Sequence, residues 1–201
     1  MTDIELVFGG SFDPPTHAHV LLPQAAASAI GAACIRVLPA AVSPHKMDAP
    51  PTAAVHRMEM LELAFAGVPD CLIDPRELHR EGPSYTIDTL EQLHAEDPRP
   101  RRLLMGSDQA EVFHRWHRWS DIEALAEPLV MLRHTDDADT LLHRIADAQG
   151  AGARDHWAAR LLDLERRPEC ASQVRAMGDL QQVPEAVARY ITQHDLYAVK
   201  T

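Results

Sequence analysis

The chain has 201 residues, 46% of them hydrophobic and 24% charged, which is enough for one soluble domain with a buried core. Its 19 Lys and Arg against 30 Asp and Glu give a formal net charge of -11, which argues against a nucleic-acid coat or an anionic-membrane binder. Any phosphate must therefore be bound at a local site. Three separated cysteines, an acidic start at Asp3 and Glu5, and no long apolar run predict a cytoplasmic protein without disulfides or a membrane span.

Short apolar runs alternate with amphipathic stretches, a pattern typical of an α/β protein with a doubly wound, mainly parallel sheet. The predicted strands span residues 4–8, 34–38, 71–74, 103–105 and 129–132. The predicted helices span 17–30 and 84–96, with others capped by Thr52, opened by a Ser120/Glu123 capping box, and opened by Pro184 in a first turn. Residues 134–156 indicate only a weak helix, and 161–164 fits a helix or a strand. We expect a single domain over 1–201 with a helical C-terminal part from about 172.

The most informative string is Gly-Gly-Ser-Phe-Asp-Pro-Pro-Thr-His-Ala-His at residues 9–19, between the first strand and the first helix. In a doubly wound sheet this is the edge where ligands bind, and a helix start there presents free N–H groups to an anion. Thr16 and His19 fall on one face of the first helical turn, where they could donate hydrogen bonds to a phosphate. The spacing fits neither a dinucleotide fingerprint nor a P-loop. The residues alone equally allow a tight turn in which His19 caps or packs.

Residues 7–19 resemble the nucleotidyltransferase signature G-G-[ST]-F-[DN]-P followed by [HT]-x-G-H, and are similar to the bacterial nicotinate-nucleotide adenylyltransferase family. Further matches follow in that family's order at 43–46, 57–58, 84–90, 106–108 with Trp116, and 183–197. Two departures stand out. Ala18 replaces the usual Gly, and the family's S-S-T-x-[IL]-R signature appears as Cys-Ala-Ser-Gln-Val-Arg at 170–175, which keeps only Ser172 and Arg175.

The resemblance implies a Rossmann-like fold, which favours a strand at 161–164, and adenylyl transfer from ATP to nicotinate mononucleotide, giving deamido-NAD and pyrophosphate. Mg²⁺ would arrive with ATP, and no protein ligands for it can be named. The implied catalytic residues are His19, Lys46 and Arg175. The implied ATP-binding residues are Gly9, Gly10, Ser11, Phe12, Thr16, His19, Gly106, Asp108, Arg133, Ser172 and Arg175. The implied mononucleotide-binding residues are Ser43, His45, Lys46, Thr86 and Trp116.

Several alternatives remain open at this point. Trp116 would stack on the pyridine ring or belong to the core, and Asp108 would hold ribose hydroxyls, cap a helix, or do both. Thr16 keeps nicotinamide mononucleotide open as the acceptor, and another small phosphate such as phosphopantetheine is a further possible acceptor. A nucleotide-binding relative that has lost turnover is the alternative to an enzyme. His114 and His117 lack the spacing and acidic neighbours of a metal site. No nucleic-acid partner is expected, and the sequence does not specify the oligomeric state.

Overall fold

The computed structural model describes residues 3–41, 51–80, 82–133 and 136–197. Its centre is a six-stranded parallel sheet with strand order β3-β2-β1-β4-β5-β6. The strands are β1 (Glu5–Gly10), β2 (Cys34–Pro39), β3 (Cys71–Ile73), β4 (Arg101–Gly106), β5 (Glu127–Met131) and β6 (Leu161–Leu162). The first half of the chain builds outward from β1 on one side, and the second half builds outward on the other. This confirms the predicted doubly wound α/β fold.

The described helices surround this sheet. They are α1 (His17–Ile30), α2 (Ala54–Phe65), α3 (Thr86–Glu96), α4 (Ser107–Val112), α5 (Trp119–Leu125), α6 (Ala138–Gln149), α7 (Gly152–Ala158), α8 (Ala171–Met177) and α9 (Glu185–Gln193). None of the helices within the described ranges is long and apolar enough to cross a bilayer.

Strand β1 feeds two separate apolar layers, because successive side chains on a strand point to opposite faces. Val7 packs in a cluster with Leu90 of α3, whereas Leu6 and Phe8 pack in another with Leu61 of α2. All of these side chains are at most 4% exposed. Helices therefore cover both faces of the sheet, and β1 runs through its centre, which fixes the end of β1 rigidly.

The C-terminal helices α8 and α9 lie against α2. Met60 of α2 shares a third buried cluster with Val174 of α8 and with Val187 and Ile191 of α9. Helix α8 begins at Ala171, next to the predicted start of this helical part. Arg175, in the last turn of α8, can therefore reach the turn that follows β1. That residues 1–201 form a single domain stays a prediction.

A chain of ion pairs runs from the amino ends of β4 and β1, through Arg36 in β2, to Asp74 and Arg76 just after β3. Arg101 Nε lies 2.7 Å from Glu5, Arg36 lies 2.8 Å from Glu5 and 2.7 Å from Asp74, and Arg76 Nε lies 2.8 Å from Asp74. Burial alone would raise the pKa of Asp74, but hydrogen bonds from Arg76 and Arg36 outweigh it and leave the pKa lowered. These pairs satisfy charges that the sheet buries, away from the candidate site.

Two predicted helix starts differ from those observed. Thr52 does not cap α2, which begins at Ala54, because Thr52 N already donates to Asp13 and Thr52 O accepts from Arg57. The Ser120 capping box is also wrong. Helix α5 begins at Trp119, two residues earlier than a Ser120 cap predicts, after Arg118 in the left-handed conformation (φ 54°), so Ser120 lies inside the first turn.

Two further stretches depart from their predictions. Pro184 precedes α9 as its N-cap residue, whereas the sequence placed it inside the first turn. The region predicted as one weak helix contains α6 and α7, and Asp137 caps α6 by accepting from Thr140 N at 2.8 Å. The ambiguous stretch resolves into a strand, β6, which pairs with β5. The resemblance, rather than periodicity, had favoured that strand.

Candidate active site

The carboxyl ends of β1 and β4 meet at the point where strand order reverses. Phe8 pairs with Leu104, so Gly10 and Gly106, each two residues further along, end neighbouring strands at the same level. Open α/β sheets bind ligands in the crevice at this reversal. The two glycine turns that the sequence singled out therefore flank a single crevice.

The β1 turn, residues 9–16, folds back over its own strand. Phe12 takes a left-handed backbone conformation (φ 47°), unusual for a bulky residue, and its ring is 2% exposed. A Cβ on Gly10 would lie 3.1 Å from Phe12 Cζ, whereas one on Gly9 would meet only Leu38 O at 3.9 Å. A methyl group on Gly10 would therefore require the buried Phe12 ring to move by a few tenths of an ångström, whereas one on Gly9 would make an ordinary contact.

His19 is held at the start of α1 by the residue that precedes the helix. Thr16, fully buried, donates from its backbone N to His19 Nδ1 at 3.0 Å, and its hydroxyl lies 2.9 Å from the same nitrogen. A backbone N–H can only donate, so Nδ1 accepts and we assign the proton of the neutral ring to Nε2. The rings of Phe8 and Phe12 contact the imidazole at centroid distances of 6.2 and 5.3 Å. His19 thus has a fixed orientation and an Nε2–H donor.

Asp13 connects the β1 turn to distant parts of the chain. Its carboxylate is buried and accepts from Thr52 N at 3.2 Å and from the Tyr197 hydroxyl, while its carbonyl accepts from Arg175 Nη1. Burial, reinforced by the hydrogen bond to Asp13, raises the pKa of Tyr197, which therefore stays a neutral donor. The structure thus brings Arg175 to the turn that carries His19.

The turn after β4 presents a carboxylate. Asp108 lies in the first turn of α4, whose N-cap residue is Gly106, so the expectation that Asp108 caps this helix is wrong. Arg133, just after β5, donates from Nε and Nη2 to the two Asp108 oxygens at 3.0 and 2.9 Å. Burial would raise the pKa of Asp108, but Arg133 and Gln109 lower it overall. Asp108 is therefore an ionised acceptor at the crevice edge.

Gly106 makes room for this carboxylate. A Cβ at Gly106 would lie 2.7 Å from Asp108 Oδ1 and 3.8 Å from Arg133 Nε. Since the Asp108 oxygen is the end of a flexible side chain, an added methyl group would displace it rather than break the fold. The glycine thus sets the position of the carboxylate.

The residues predicted for the mononucleotide are only partly described. Thr86 is the first residue of α3, and Trp116 follows a 3-10 turn, half-buried against the core, with its ring 5.4 Å from that of Phe113. Ser43, His45 and Lys46 lie outside the described residues. Ala41, which precedes that stretch in the sequence, contacts the residues just before α3: its N donates to Ser84 Oγ at 3.1 Å.

The two retained residues of the 170–175 signature have different surroundings. Arg175 reaches the β1 turn, whereas the hydroxyl of Ser172 lies 3.0 Å from Cys170 Sγ at the other end of α8. Within the ranges that the structure describes, no three His, Cys, Asp or Glu side chains are grouped as a metal site requires. The candidate site there consists of helix-end donors, arginines and the carboxylates of Asp13 and Asp108.

Sequence reasoning assigned no role to three residues of this region, Asp13, Arg57 and Tyr197, although each lies in a stretch that resembles the family. Arg57 had a readable signal, since it shares one helix face with Met60 and Leu61, which are fully buried, and an arginine on an apolar face needs a reason. Asp13 lay in the signature itself, but nothing in the sequence indicated which groups it binds. No local pattern marks Tyr197.

Comparisons with known proteins identify the family of the chain. The cytidylyltransferase-like family matches residues 7–184. A protein of Albidiferax ferrireducens named "Probable nicotinate-nucleotide adenylyltransferase" is 38% identical over 95% of this chain and 96% of its own length. One of the same name from Yersinia enterocolitica is 36% identical over 95% of this chain and 94% of its own length.

Solved structures share the fold. Plasmodium falciparum nicotinic acid mononucleotide adenylyltransferase, complexed with NaAD, has a TM-score of 0.73 at 17% identity and covers 97% of both chains. The same enzyme complexed with APC has a TM-score of 0.71, also over 97% of both chains. The matches to the family and to the bacterial relatives show that the chain belongs to the cytidylyltransferase-like nucleotidyltransferases, in the group of the nicotinate-nucleotide adenylyltransferases.

Proposed function

We propose that this enzyme transfers the adenylyl group of ATP to nicotinate mononucleotide, forming deamido-NAD and releasing pyrophosphate. The observation that carries the proposal is that the strand order reverses between β1 and β4, so that the turn before α1, which Arg175 contacts, and the turn that carries Asp108 follow neighbouring strands. Relatives that share more than a third of its residues over nearly the whole chain are named nicotinate-nucleotide adenylyltransferases, after this reaction. In this proposal the enzyme acts in NAD biosynthesis.

The triphosphate would lie at the start of α1. The main chain of Gly9, Gly10, Ser11 and Phe12 would line the phosphates, since glycine turns at a helix start expose N–H groups and a positive dipole end. His19 would donate from Nε2 to the α-phosphate, and Thr16 would hold its ring. Arg175 would be the second group that binds the phosphates, and Ser172 on the same helix would supply a hydroxyl.

The adenosine would lie at the β4 turn. Asp108, as an ionised acceptor, suits the two ribose hydroxyls, and Gly106 leaves space beside it. Arg133 now pairs with Asp108, with 55% of its side chain exposed, so it can turn towards the phosphates at little cost. The two neighbouring turns would thus bind opposite ends of one nucleotide.

The reaction needs positioning and charge stabilisation rather than a base. A phosphate oxygen of the mononucleotide attacks the α-phosphorus, the bond from that phosphorus to the bridging oxygen breaks, and pyrophosphate leaves with the electron pair. Because the attacking phosphate is already ionised, His19 acts as a donor to the charge that develops. Mg²⁺ would arrive with ATP as part of the substrate and would offset the charge of the leaving pyrophosphate.

The acceptor would be bound by Trp116 and Thr86, together with Ser43, His45 and Lys46. Trp116 offers an aromatic ring for stacking on the pyridine, and the start of α3 at Thr86 suits the nicotinate carboxylate, since helix N-termini favour anions. Lys46 would act as a point charge on the phosphates. Because a helix N-terminus favours an anion, this position favours the mononucleotide with the carboxylate, nicotinate, over the one with the amide.

A steady-state assay of pyrophosphate release, run with nicotinate mononucleotide, nicotinamide mononucleotide and phosphopantetheine in turn, tests the proposal. We expect the acid to give the highest kcat/KM. Equal or reversed preference for the amide would contradict the acceptor assignment. ATP binding without pyrophosphate release with any acceptor would identify a relative that has lost turnover, the alternative that the altered signature at 170–175 raises.

A further inference from the structure

Arg57 is the most deeply buried arginine in the part of the chain that the structure describes, at 1% exposed. It donates from Nε to Thr52 O at 2.9 Å, from Nη1 to Ser11 O and Ala40 O, both at 2.8 Å, and from Nη2 to Ala41 O at 3.4 Å. One guanidinium thus binds four carbonyl oxygens from three separate segments. The segments are the β1 turn, the start of the loop after β2, and the residues just before α2.

The acceptors are unusual for a buried cation. Arg101, the other deeply buried arginine, pairs with the Glu5 carboxylate at 2.7 Å, as a buried charge normally must. Burial lowers the pKa of Arg57, and the nearby Asp13 partly offsets this effect. Met60 and Leu61 occupy the same buried helix face, so an apolar side chain would suit this position if packing were its only role.

The shape of the guanidinium explains what an arginine achieves here. Its N–H groups lie in one plane at fixed angles, so carbonyls that bind to it take fixed positions relative to one another. Ser11 belongs to the turn proposed for the triphosphate. Ala40, Ala41 and Thr52 flank the segment that contains Lys46. A lysine could keep the charge but not this planar set of donors.

We propose that Arg57 is a positioning residue that fixes the β1 turn relative to the main chain at Ala40–Ala41 and at Thr52, and so orients the turn for ATP. This inference rests on the proposed function for the identity of the ligand at the turn. Arg57 touches no reacting atom in this scheme. It acts through the carbonyl of Ser11, and its loss misplaces the N–H groups that the turn offers to phosphate.

The test compares Arg57→Lys with Arg101→Lys, since each replaces a buried arginine by a shorter-reaching cation. We expect Arg57→Lys to lower kcat/KM for ATP roughly 100-fold, as a displacement of about 1 Å at a reacting centre does. We expect Arg101→Lys to lower the melting temperature at least as much as Arg57→Lys does. Both of its kinetic constants should stay within about twofold of the wild type, because Arg101 lies at the opposite end of the sheet.

Chemical rescue separates positioning from folding. Arg57→Ala leaves a guanidinium-sized space, so millimolar guanidinium chloride should restore part of its activity, while equal sodium chloride or urea should not. Activity of Arg57→Lys within about twofold of the wild type would overturn the proposal, as would a loss that only follows the unfolded fraction and disappears on cooling. If Arg57→Ala does not fold, the two lysine variants decide the matter alone.

Calorimetric titration with ATP keeps this inference distinct from the proposed function. If the wild type binds ATP but makes no deamido-NAD, the proposed function fails, whereas a weaker ATP affinity of Arg57→Lys still supports the role of Arg57. Equal ATP affinities of wild type and Arg57→Lys would overturn that role, whatever the acceptor.

Discussion

Replacing His19 by Ala and by Asn separates its two roles in the structure. Its Nδ1 accepts from Thr16 N at 3.0 Å at the start of α1, and its Nε2 is the proposed donor to the α-phosphate. The Asn side chain reaches only as far as Nδ1, so its oxygen can accept from Thr16 but nothing extends to the position of Nε2. The Ala variant loses both groups.

The expected size of each effect follows from the kind of contact that is lost. One preorganised donor to a charge that develops in the transition state is worth roughly 10²–10³ in kcat, or about 2.7–4 kcal/mol. Losing the acceptor at the helix start costs about 1 kcal/mol of unfolding free energy, or about 2–4 °C in melting temperature for a chain of this length. Both variants should therefore lose activity, and only His19→Ala should lose stability.

Steady-state pyrophosphate release at saturating ATP and nicotinate mononucleotide measures the first effect, and thermal unfolding measures the second. His17→Ala is the matched control, since His17 is also half-buried and lies in the same helical turn. It should leave kcat within about twofold. A His19→Asn variant with kcat within a fewfold of the wild type would refute the donor role and leave His19 as a helix cap.

Three other predictions follow from glycines and from one acid. Gly10→Ala should lower stability and activity because its methyl group would press on the buried Phe12 ring. Gly9→Ala is the control and should change neither much, as measured by thermal unfolding and pyrophosphate release. Gly106→Ala should raise the KM for ATP severalfold with little change in melting temperature, because it displaces the Asp108 carboxylate; an unchanged KM would show that this carboxylate does not bind ATP. Because the folded-state pKa of Asp74 is lowered, its stabilisation is present above its ordinary pKa of 3.8 and is lost as the pH falls through the lower folded value. Urea unfolding between about pH 6 and pH 3 should therefore show the stability difference between wild type and Asp74→Asn shrinking with acid, and a difference that does not change with pH would contradict this.

The sheet and its reversal point were predictable because apolar runs, glycines and amphipathic spacing are local signals. The predicted helix 17–30 agrees with α1, and Gly10 and Gly106 end adjacent strands as their positions after apolar runs suggest. The starts of α2 and α5 were not predictable. Thr52 has the right residue type for a cap, but Asp13 and Arg57, 39 and 5 residues away, bind its main chain instead.

The parts of the site held together by distant residues were equally out of reach. Arg175 meets the carbonyl of Asp13 162 positions earlier, and Tyr197 meets its carboxylate 184 positions away. No periodicity encodes such contacts, and the family resemblance proposed Arg175 without saying what holds it. The pairing of Arg133 with Asp108 also shows that two residues assigned separately to the nucleotide first bind each other.

The strongly acidic composition and the proposed phosphate chemistry are compatible because the two arginines that the structure describes at the crevice, Arg175 and Arg133, already have partners. Arg175 binds a carbonyl, and Arg133 binds Asp108 in a pair that leaves 55% and 42% of the two side chains exposed. An exposed pair of this kind contributes at most about 1 kcal/mol, so exchanging the carboxylate for a phosphate costs little, and it frees Asp108 for ribose hydroxyls. A net charge of -11 then repels polyanions at long range. A compact Mg-ATP complex carries less charge and meets the crevice at short range, where the arginines and helix-end donors dominate.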